Sequence, residues 1–110
     1  MKRSFRLTKS RDFLRVRRYG KSYAHPLIVL IASPNQREGT RVGIIAGKTV
    51  GKAVQRNRSK RMIRAVIQSL LPKVAPGWDI ILIARKHMAG VTYQQTETAL
   101  EELLLRAKLI

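Results

Sequence analysis

The sequence predicts a mixed fold of strands and helices, of the α/β or α+β class, in one domain spanning residues 1–110. Three short apolar runs, 27–32, 41–46 and 78–84, have the length and composition of buried strands. Longer segments with apolar residues at helical spacing lie between and after them. Because 45% of the 110 residues are hydrophobic, the chain has enough apolar surface to form a core.

A short helix is predicted before the first strand. Thr8 or Ser10 can cap its start, and Gly20 follows its end. Its apolar residues Phe13 and Val16 form a narrow stripe. The pattern leaves open whether Phe13 packs in the core or stacks on a nucleic-acid base at the edge of a cleft.

The longest predicted helix runs from about Ala53 to Leu71 and is ended by Pro72. At 100° per residue, its apolar residues fall in one sector, the core face. That face consists of Ile63, Val66, Ile67 and Leu70. A different sector of about 140° holds four cations and an amide. They are Arg56, Asn57, Lys60, Arg61 and Arg64.

Turn and capping residues separate the remaining elements. The first strand is followed by a predicted turn at 33–35. After the third strand, Thr92 and Gln95 fit a capping box that opens the last helix. The core face of that helix consists of Ala99, Leu100, Leu103, Leu104 and Ala107.

Charge is the unusual property of the composition. Twenty-three Lys and Arg residues against six Asp and Glu give a net charge of +17. Segment 1–23 holds nine of these cations and segment 48–64 holds seven, with no acid in the latter. Such an excess indicates a polyanionic partner, with nucleic acid as the first candidate and an anionic membrane as the second. Because no acid is interleaved in 48–64, its cations favour a binding face over a merely solvated one.

The membrane alternative has little support. The longest apolar run, 27–32, is far shorter than the roughly 20 residues that span a bilayer. No apolar stretch follows the charged N-terminus, so we expect no signal sequence. The chain contains no cysteine, which excludes disulfides and thiolate metal sites. We therefore expect a cytoplasmic protein without a membrane partner.

The titratable residues form no catalytic pattern. Metal-dependent nucleases need several carboxylates that converge on a cation. The acids here are few and scattered, and we interpret them as surface residues that balance local charge, namely Asp12, Asp79, Glu97 and Glu101. His25 and His87 lie far apart in the sequence without ligand spacing. We predict no catalytic residue and no metal ligand.

The segment 51–64 resembles the signature of the bacterial ribonuclease P protein family. The family pattern R-N-x-x-K-R-x-x-R, on a long helix after a glycine-bounded basic turn, is matched at every fixed position. Other blocks similar to the family's follow in the same order, namely Ser10-Arg11-Asp12-Phe13 with Gly20, Arg41-Val42-Gly43, and Ile83-Ala84-Arg85-Lys86. The resemblance covers nearly the whole chain.

The resemblance implies a more specific fold. It is a compact two-layer α/β sandwich of the α+β class, with a four-stranded sheet and three helices, like the second domain of ribosomal protein S5. It includes a left-handed βαβ crossover through the long helix, against the usual right-handed rule. A cleft lies between the first helix and the sheet. The fourth strand is taken from the family, because the apolar runs indicate only three.

The resemblance also implies a function, that of the protein subunit of ribonuclease P. Such a subunit binds the catalytic RNA and the 5′ leader of precursor tRNA, and assists the endonucleolytic removal of the leader. It also broadens the range of precursors that are accepted. The RNA carries the catalysis of this endoribonuclease, with Mg²⁺ bound mainly by that RNA and none held by the protein alone. No small-molecule substrate is implied.

The resemblance assigns roles to particular residues. The residues implied to contact the catalytic RNA are Lys52, Arg56, Asn57, Lys60, Arg61 and Arg64. Phe13 and Arg17 are implied to contact the leader. The family often has aromatic residues where this chain has Arg17 and Ile31, so neither position offers an aromatic ring for stacking on a leader base. Arg17 can instead bind a phosphate or present a planar guanidinium.

Three other functions are compatible with a short basic chain. The first is a structural protein of another RNA particle, such as a small ribosomal protein. The second is a self-sufficient endoribonuclease, which would cleave RNA without an RNA partner. The third is an architectural DNA binder, which would prefer duplex DNA to structured RNA.

If the two cationic segments form one binding face, affinity for RNA falls steeply with salt. A protein that neutralises about six phosphates loses about a thousandfold in affinity between about 50 and about 200 mM monovalent salt. Titration of structured RNA across this range measures the effect, with duplex DNA of the same length as the comparison. A flat salt response would contradict an electrostatic RNA-binding role.

Overall fold

The structure is a computed structural model that describes residues 5–110, so the first four residues of the basic segment 1–23 and of the predicted domain lie outside it. Its helices are α1 (Ser10–Tyr19), α2 (Ala53–Leu70) and α3 (Tyr93–Arg106). Its strands are β1 (Lys21–Ala24), β2 (Ile28–Pro34), β3 (Arg41–Ala46) and β4 (Trp78–Ala84). The predicted α+β class, with a four-stranded sheet and three helices, is confirmed.

The strands form one sheet in the order β1-β2-β4-β3. β2 pairs antiparallel with β1 on one side and with β4 on the other. β3 pairs parallel with β4, and α2 connects these two neighbours in a βαβ crossover. The left hand expected for this crossover stays a prediction.

The sheet separates two packed clusters, because successive residues of a strand face opposite sides. On one side, α2 and α3 cover a large core that includes Leu30, Ile67 and Leu82. On the other side, Val16 of α1 packs against Ile31 of β2 and Ile81 of β4. The sheet with α2 and α3 forms the expected two-layer sandwich. α1 lies alone on the opposite face and covers only part of it.

Most boundaries of the helices and strands agree with those predicted from the sequence, but the end of β2 differs. Ser33 and Pro34, predicted in a turn, are the last residues of β2 and pair with Asp79 and Trp78. The residues of β2 that pair with β1 end at Ala32, so no strand lies opposite Pro34 on that side. The missing amide hydrogen of Pro34 therefore costs no hydrogen bond of the sheet.

The ends of α1 differ from the prediction. Lys9 occupies the N-cap without a side-chain hydrogen bond, so neither Thr8 nor Ser10 caps the helix. Gly20 has an extended backbone, with φ −74°, rather than the left-handed conformation of a glycine cap. Its role is close packing, because a Cβ atom there would collide with the Val16 carbonyl oxygen and lie 2.8 Å from Ile31 Cγ2.

A buried carboxylate joins α1 to the sheet. Asp79 of β4 has no solvent-exposed surface. It accepts two hydrogen bonds from Arg41 at 2.7 and 2.9 Å, one from Asn35 at 2.9 Å, and one from Arg15 of α1. Asp12 lies 3.5 Å from Arg41 Nη1 and 3.8 Å from Arg15 Nη2. The expectation that Asp79 is a surface residue is wrong, because it faces α1 and is covered by long-range partners.

The protonation of Asp79 reflects these contacts. Burial alone raises the pKa of its carboxyl group, but hydrogen bonds from Arg41, Asn35 and Arg15 outweigh burial and hold the pKa below its usual value. The hydrogen bond to Asp79 in turn raises the pKa of Arg41, against the opposing effect of burial. The carboxylate of Asp79 and the guanidinium group of Arg41 are therefore charged at neutral pH.

We predict that Asp79→Asn lowers the free energy of unfolding at pH 7 by about 3 kcal/mol, because two arginines lose a buried counter-charge. Since the pKa of Asp79 is lowered in the folded protein, its contribution is fully present above the unfolded value of about 3.9 and is lost as pH falls through the folded pKa. Urea unfolding of both proteins at several pH values measures this difference, which should shrink below about pH 4. Equal stability of the two proteins at pH 7 would refute the network's role.

Candidate nucleic-acid interface

α2 presents the cationic face that its sequence predicts. Its predicted core residues, Ile63, Val66, Ile67 and Leu70, are all buried. Asn57 and Arg61 on the other sector are exposed, while Arg56, Lys60 and Arg64 are half-buried. Lys52 is the N-cap residue, and its backbone N–H donates to Gln55 Oε1 at 2.6 Å. One side of α2 therefore holds the helix in the core and another side is left to solvent.

Four of the six residues predicted to contact RNA line one hollow. This hollow, the α2 hollow, has a volume of about 480 Å³ and is lined by Val54, Asn57, Lys60, Arg61 and Arg64. Arg56 and Lys52 do not line it. Val54, whose surface is 76% exposed, was not predicted. Its position one turn before Asn57 is the signal that could have identified it, since it offers an apolar contact for a ribose or a base.

The cations of α2 have no acidic partners among residues 5–110. The ion pairs in this part of the chain join Asp12 and Asp79 to Arg15 and Arg41, and Glu102 to His25. The positive charge of α2 is therefore not neutralised by the described residues. Such a face favours a polyanion, because each neutralised phosphate releases counterions.

A second cavity connects α2 with α1. It has a volume of about 200 Å³, and its lining includes Arg6, Thr8, Phe13, Gly43 and Arg64. The half-buried Phe13 ring packs against Gly43 and also forms part of the cavity wall, so it belongs both to the core and to the surface. We call this cavity the Phe13 cavity. Arg64 lines it as well as the α2 hollow.

Arg17 and Ile31 do not line the cavity that Phe13 lines. Arg17 is exposed on α1 and lines neither the α2 hollow nor the Phe13 cavity. Ile31 is 8% exposed and packs beneath α1, where it belongs to the core. The structure thus places Phe13, but not Arg17, in a cavity with a cation of α2.

A third cavity lies where β4 ends. It has a volume of about 620 Å³ and its lining includes His25, Thr49, Arg85, Lys86 and His87. We call it the β4 cavity. None of these residues was predicted as a site residue, although Arg85 and Lys86 belong to a sequence block shared with the family. Ile83, half-buried on the α1 side of the sheet, also lines it.

One of the two histidines of the β4 cavity, His25, is already engaged. His25 Nδ1 accepts a hydrogen bond from the backbone N–H of Leu27 at 3.1 Å. His25 Nε2 lies 3.5 Å from Glu102 Oε2. Both ring nitrogens therefore have partners, which leaves neither free to remove a proton from a substrate.

The described residues offer no ready site for a cation. Within 5–110, no group of three or more His, Asp or Glu side chains lies close enough together to hold a metal ion. Asp12 and Asp79 share the partners Arg15 and Arg41 and are occupied by these arginines. In the same range, no helix is long and apolar enough to cross a bilayer.

Comparison with known proteins places these features in a family. The chain matches the Ribonuclease P family over residues 1–108. It is a member of the ribonuclease P protein family. The Ribonuclease P protein component of Herpetosiphon aurantiacus is 40% identical over 109 residues, which cover 99% of this chain and 89% of the relative. That of Dehalococcoides mccartyi is 41% identical over 110 residues, covering 100% and 90%.

Solved structures of ribonuclease P proteins have the same fold. The Staphylococcus aureus protein at 2.0 Å has a TM-score of 0.86 and 34% identity, covering 96% of each chain. A Staphylococcus aureus mutant described as defective in mRNA degradation activity has a TM-score of 0.89 and 33% identity, covering 97% of this chain and 91% of the mutant. The Thermotoga maritima protein has a TM-score of 0.83 and 31% identity, covering 92% and 96%.

Membership of this family establishes the general role. The chain is the protein component of ribonuclease P, an endoribonuclease of tRNA processing, and its partner in that complex is RNA. The unpaired cations of α2 agree with such a partner. The roles of individual residues stay predictions.

Close packing of Phe13 on Gly43 predicts that a side chain at position 43 is costly. Gly43→Ala should lower the free energy of unfolding by about 1–3 kcal/mol, because its Cβ atom would overlap the ring of Phe13. Gly47→Ala is the matched control, since a Cβ atom there meets nothing within 4 Å. Urea unfolding measures both. The penalty of Gly43→Ala should shrink in a Phe13→Ala background, and an undiminished penalty would contradict the contact.

Proposed function

We propose that this protein binds the catalytic RNA of ribonuclease P through α2 and the single-stranded 5′ leader of precursor tRNA along the cleft beside α1. The observation that carries the proposal is the set of cations on α2 that lack acidic partners within residues 5–110. The protein then assists removal of the leader and widens the range of accepted precursors.

On α2, the proposed contacts follow from the chemistry of the α2 hollow. Lys60, Arg61 and Arg64 would neutralise phosphates, with Arg56 and Lys52 at the margin of the same face. The Asn57 amide can donate to a phosphate and both donate to and accept from a 2′-hydroxyl. A helix with a buried opposite side fixes the backbone positions of these residues. Their spacing is therefore set before RNA binds.

Leader binding would use the face of the sheet that α1 leaves partly open. The Phe13 cavity lies at β3, and the β4 cavity lies at the carboxyl end of β4. A single strand needs stacking surfaces and cations along its path. Phe13 supplies an aromatic ring, while Arg85 and Lys86 supply charge in the β4 cavity. Arg17, exposed on α1, would contact a leader phosphate.

Catalysis is assigned to the RNA subunit. Mg²⁺ bound mainly by that RNA would activate water and stabilise charge at the scissile phosphate. The protein supplies no general base by this proposal. Asp79 is buried against arginines, and both nitrogens of His25 have partners. Its contribution is electrostatic, because a +17 protein lowers the repulsion between two polyanionic RNAs.

Cleavage of mRNA is a second candidate activity. It is favoured by the structural likeness to the Staphylococcus aureus mutant described as defective in mRNA degradation activity. That description concerns the Staphylococcus aureus protein. For this chain the possibility requires that the protein, alone or in its complex, cleave an RNA other than precursor tRNA.

Reconstitution tests the main proposal. Precursor tRNA is incubated at low millimolar Mg²⁺ with the ribonuclease P RNA of the same organism, with the protein, and with both. Cleavage at the mature 5′ end only with both present, or much faster with both, is expected. Cleavage by the protein alone would overturn the assignment of catalysis to RNA. An mRNA substrate in the same three reactions tests the second candidate.

Two variants separate the proposed RNA contacts. Arg61→Ala should weaken binding of the catalytic RNA and reduce the slope of log affinity against log salt by about 1, because one phosphate contact is lost. Phe13→Ala should weaken binding of precursor tRNA about tenfold without changing affinity for the catalytic RNA, because a stacking surface is lost. Filter binding measures both affinities.

Matched controls accompany these variants. Arg37→Ala removes an exposed arginine from the loop between β2 and β3, and it should leave the salt slope unchanged. Phe13→Leu keeps an apolar side chain against Gly43 but lacks the aromatic ring. If Phe13→Leu binds precursor tRNA as tightly as the wild type, Phe13 acts by packing rather than by stacking.

A further inference from the structure

α1 has a narrow apolar attachment to the rest of the molecule. Val16 is the fully buried residue of this ten-residue helix. Phe13 is half-buried, whereas Leu14 and Tyr19 are 69% and 72% exposed. The start of the helix has no side-chain cap. Apolar burial alone therefore leaves the orientation of α1 on the sheet weakly defined.

The Asp79 network supplies a second attachment. Arg15, one residue before Val16, reaches from α1 to the Asp79 carboxylate. Arg41 holds the same carboxylate through two hydrogen bonds, which fixes its orientation. Asn35 donates to it as well, and Asn35 is itself fixed by bonds with Gly39 and Arg37.

The network and Phe13 link the same two elements. Arg41 and Gly43 both lie on β3, while Arg15 and Phe13 both lie on α1. The Asp79 carboxylate joins Arg41 of β3 to Arg15 of α1, and the Phe13 ring of α1 packs on Gly43 of β3. The position of Phe13 in its cavity therefore depends on where the network holds α1.

We propose that Asp79 is a positioning residue for the leader. Its carboxylate holds α1 at a fixed separation from β3 and thereby sets the shape of the Phe13 cavity, which receives a nucleotide of the single-stranded leader. Asp79 does not itself touch RNA, since it has no exposed surface. This inference rests on the leader binding proposed above.

The test compares the affinities of two tRNAs for the holoenzyme reconstituted with wild-type protein or Asp79→Asn. One is precursor tRNA with a leader of about five nucleotides, and the other is the product, mature tRNA without a leader. Asp79→Asn should reduce the preference for the leader about tenfold, because a small displacement of α1 misplaces Phe13. Affinity of the protein for the catalytic RNA should change by less than about twofold, since Asn57, Lys60 and Arg61 of the α2 hollow lie outside the Phe13 cavity.

A matched control distinguishes positioning from lost stability. Leu104→Ala removes a fully buried side chain of α3, in the core on the other face of the sheet, and should cost about 2–5 kcal/mol. It should keep the leader preference. If Leu104→Ala loses the preference as Asp79→Asn does, or if Asp79→Asn keeps it, the positioning role is wrong. Should Asp79→Asn fail to fold, Arg15→Gln tests the same link from α1.

A readout in the free protein separates this inference from the proposed function. The nuclear Overhauser effect between the Phe13 ring and the Gly43 backbone should weaken in Asp79→Asn, while contacts between α2 and α3 stay as in the wild type. If the wild-type holoenzyme shows no preference for the leader, the proposed leader site is wrong. If the nuclear Overhauser effect between Phe13 and Gly43 is unchanged in Asp79→Asn, the positioning role of Asp79 is wrong.

Discussion

The buried carboxylate of Asp79 is the constraint on which the distribution of charge depends. An unpaired buried charge is strongly destabilising, so Asp79 requires cations around it. Arg15 and Arg41 meet this requirement, and Asp12 brings the local charge to zero. Two of the arginines are thereby committed to structure. The cations of α2 take no part in this network, so the structural cations and the cations proposed to bind RNA are separated in space.

The sheet maintains that separation. Asp79 faces α1, whereas α2 packs on the other face through Ile63 and Ile67. Like charges one turn apart destabilise an isolated helix. Burial of the apolar side of α2 offsets this repulsion, and it stabilises the helix without using any acid. Because ionic screening does not weaken apolar packing, the helix persists at ionic strengths that would weaken its proposed contacts with RNA.

Sequence periodicity predicted the helices and strands whose apolar faces are formed by residues close together in the sequence. It missed contacts between residues far apart in the sequence. The core sector of α2 follows from 100° per residue and was correct, whereas Arg56, Lys60 and Arg64 of the cationic sector are half-buried. β1 was missed because it is a four-residue edge strand whose residues are mostly exposed, so it has no apolar run to mark it. Asp79 was misplaced because its partners Arg15 and Arg41 are 64 and 38 residues away in sequence. No local pattern encodes such distances, and the cleft beside Phe13 was expected only from the family resemblance.

Arg64 shows how one small protein can serve two RNA segments. Its side chain lines both the α2 hollow and the Phe13 cavity, and its buried Nε has no hydrogen-bond partner within residues 5–110. A buried donor left without a partner costs about 1–3 kcal/mol. A phosphate or 2′-hydroxyl bound in either cavity would accept this hydrogen bond and remove that cost. The two proposed RNA sites therefore share a residue, so the leader and the catalytic RNA would lie side by side at Arg64.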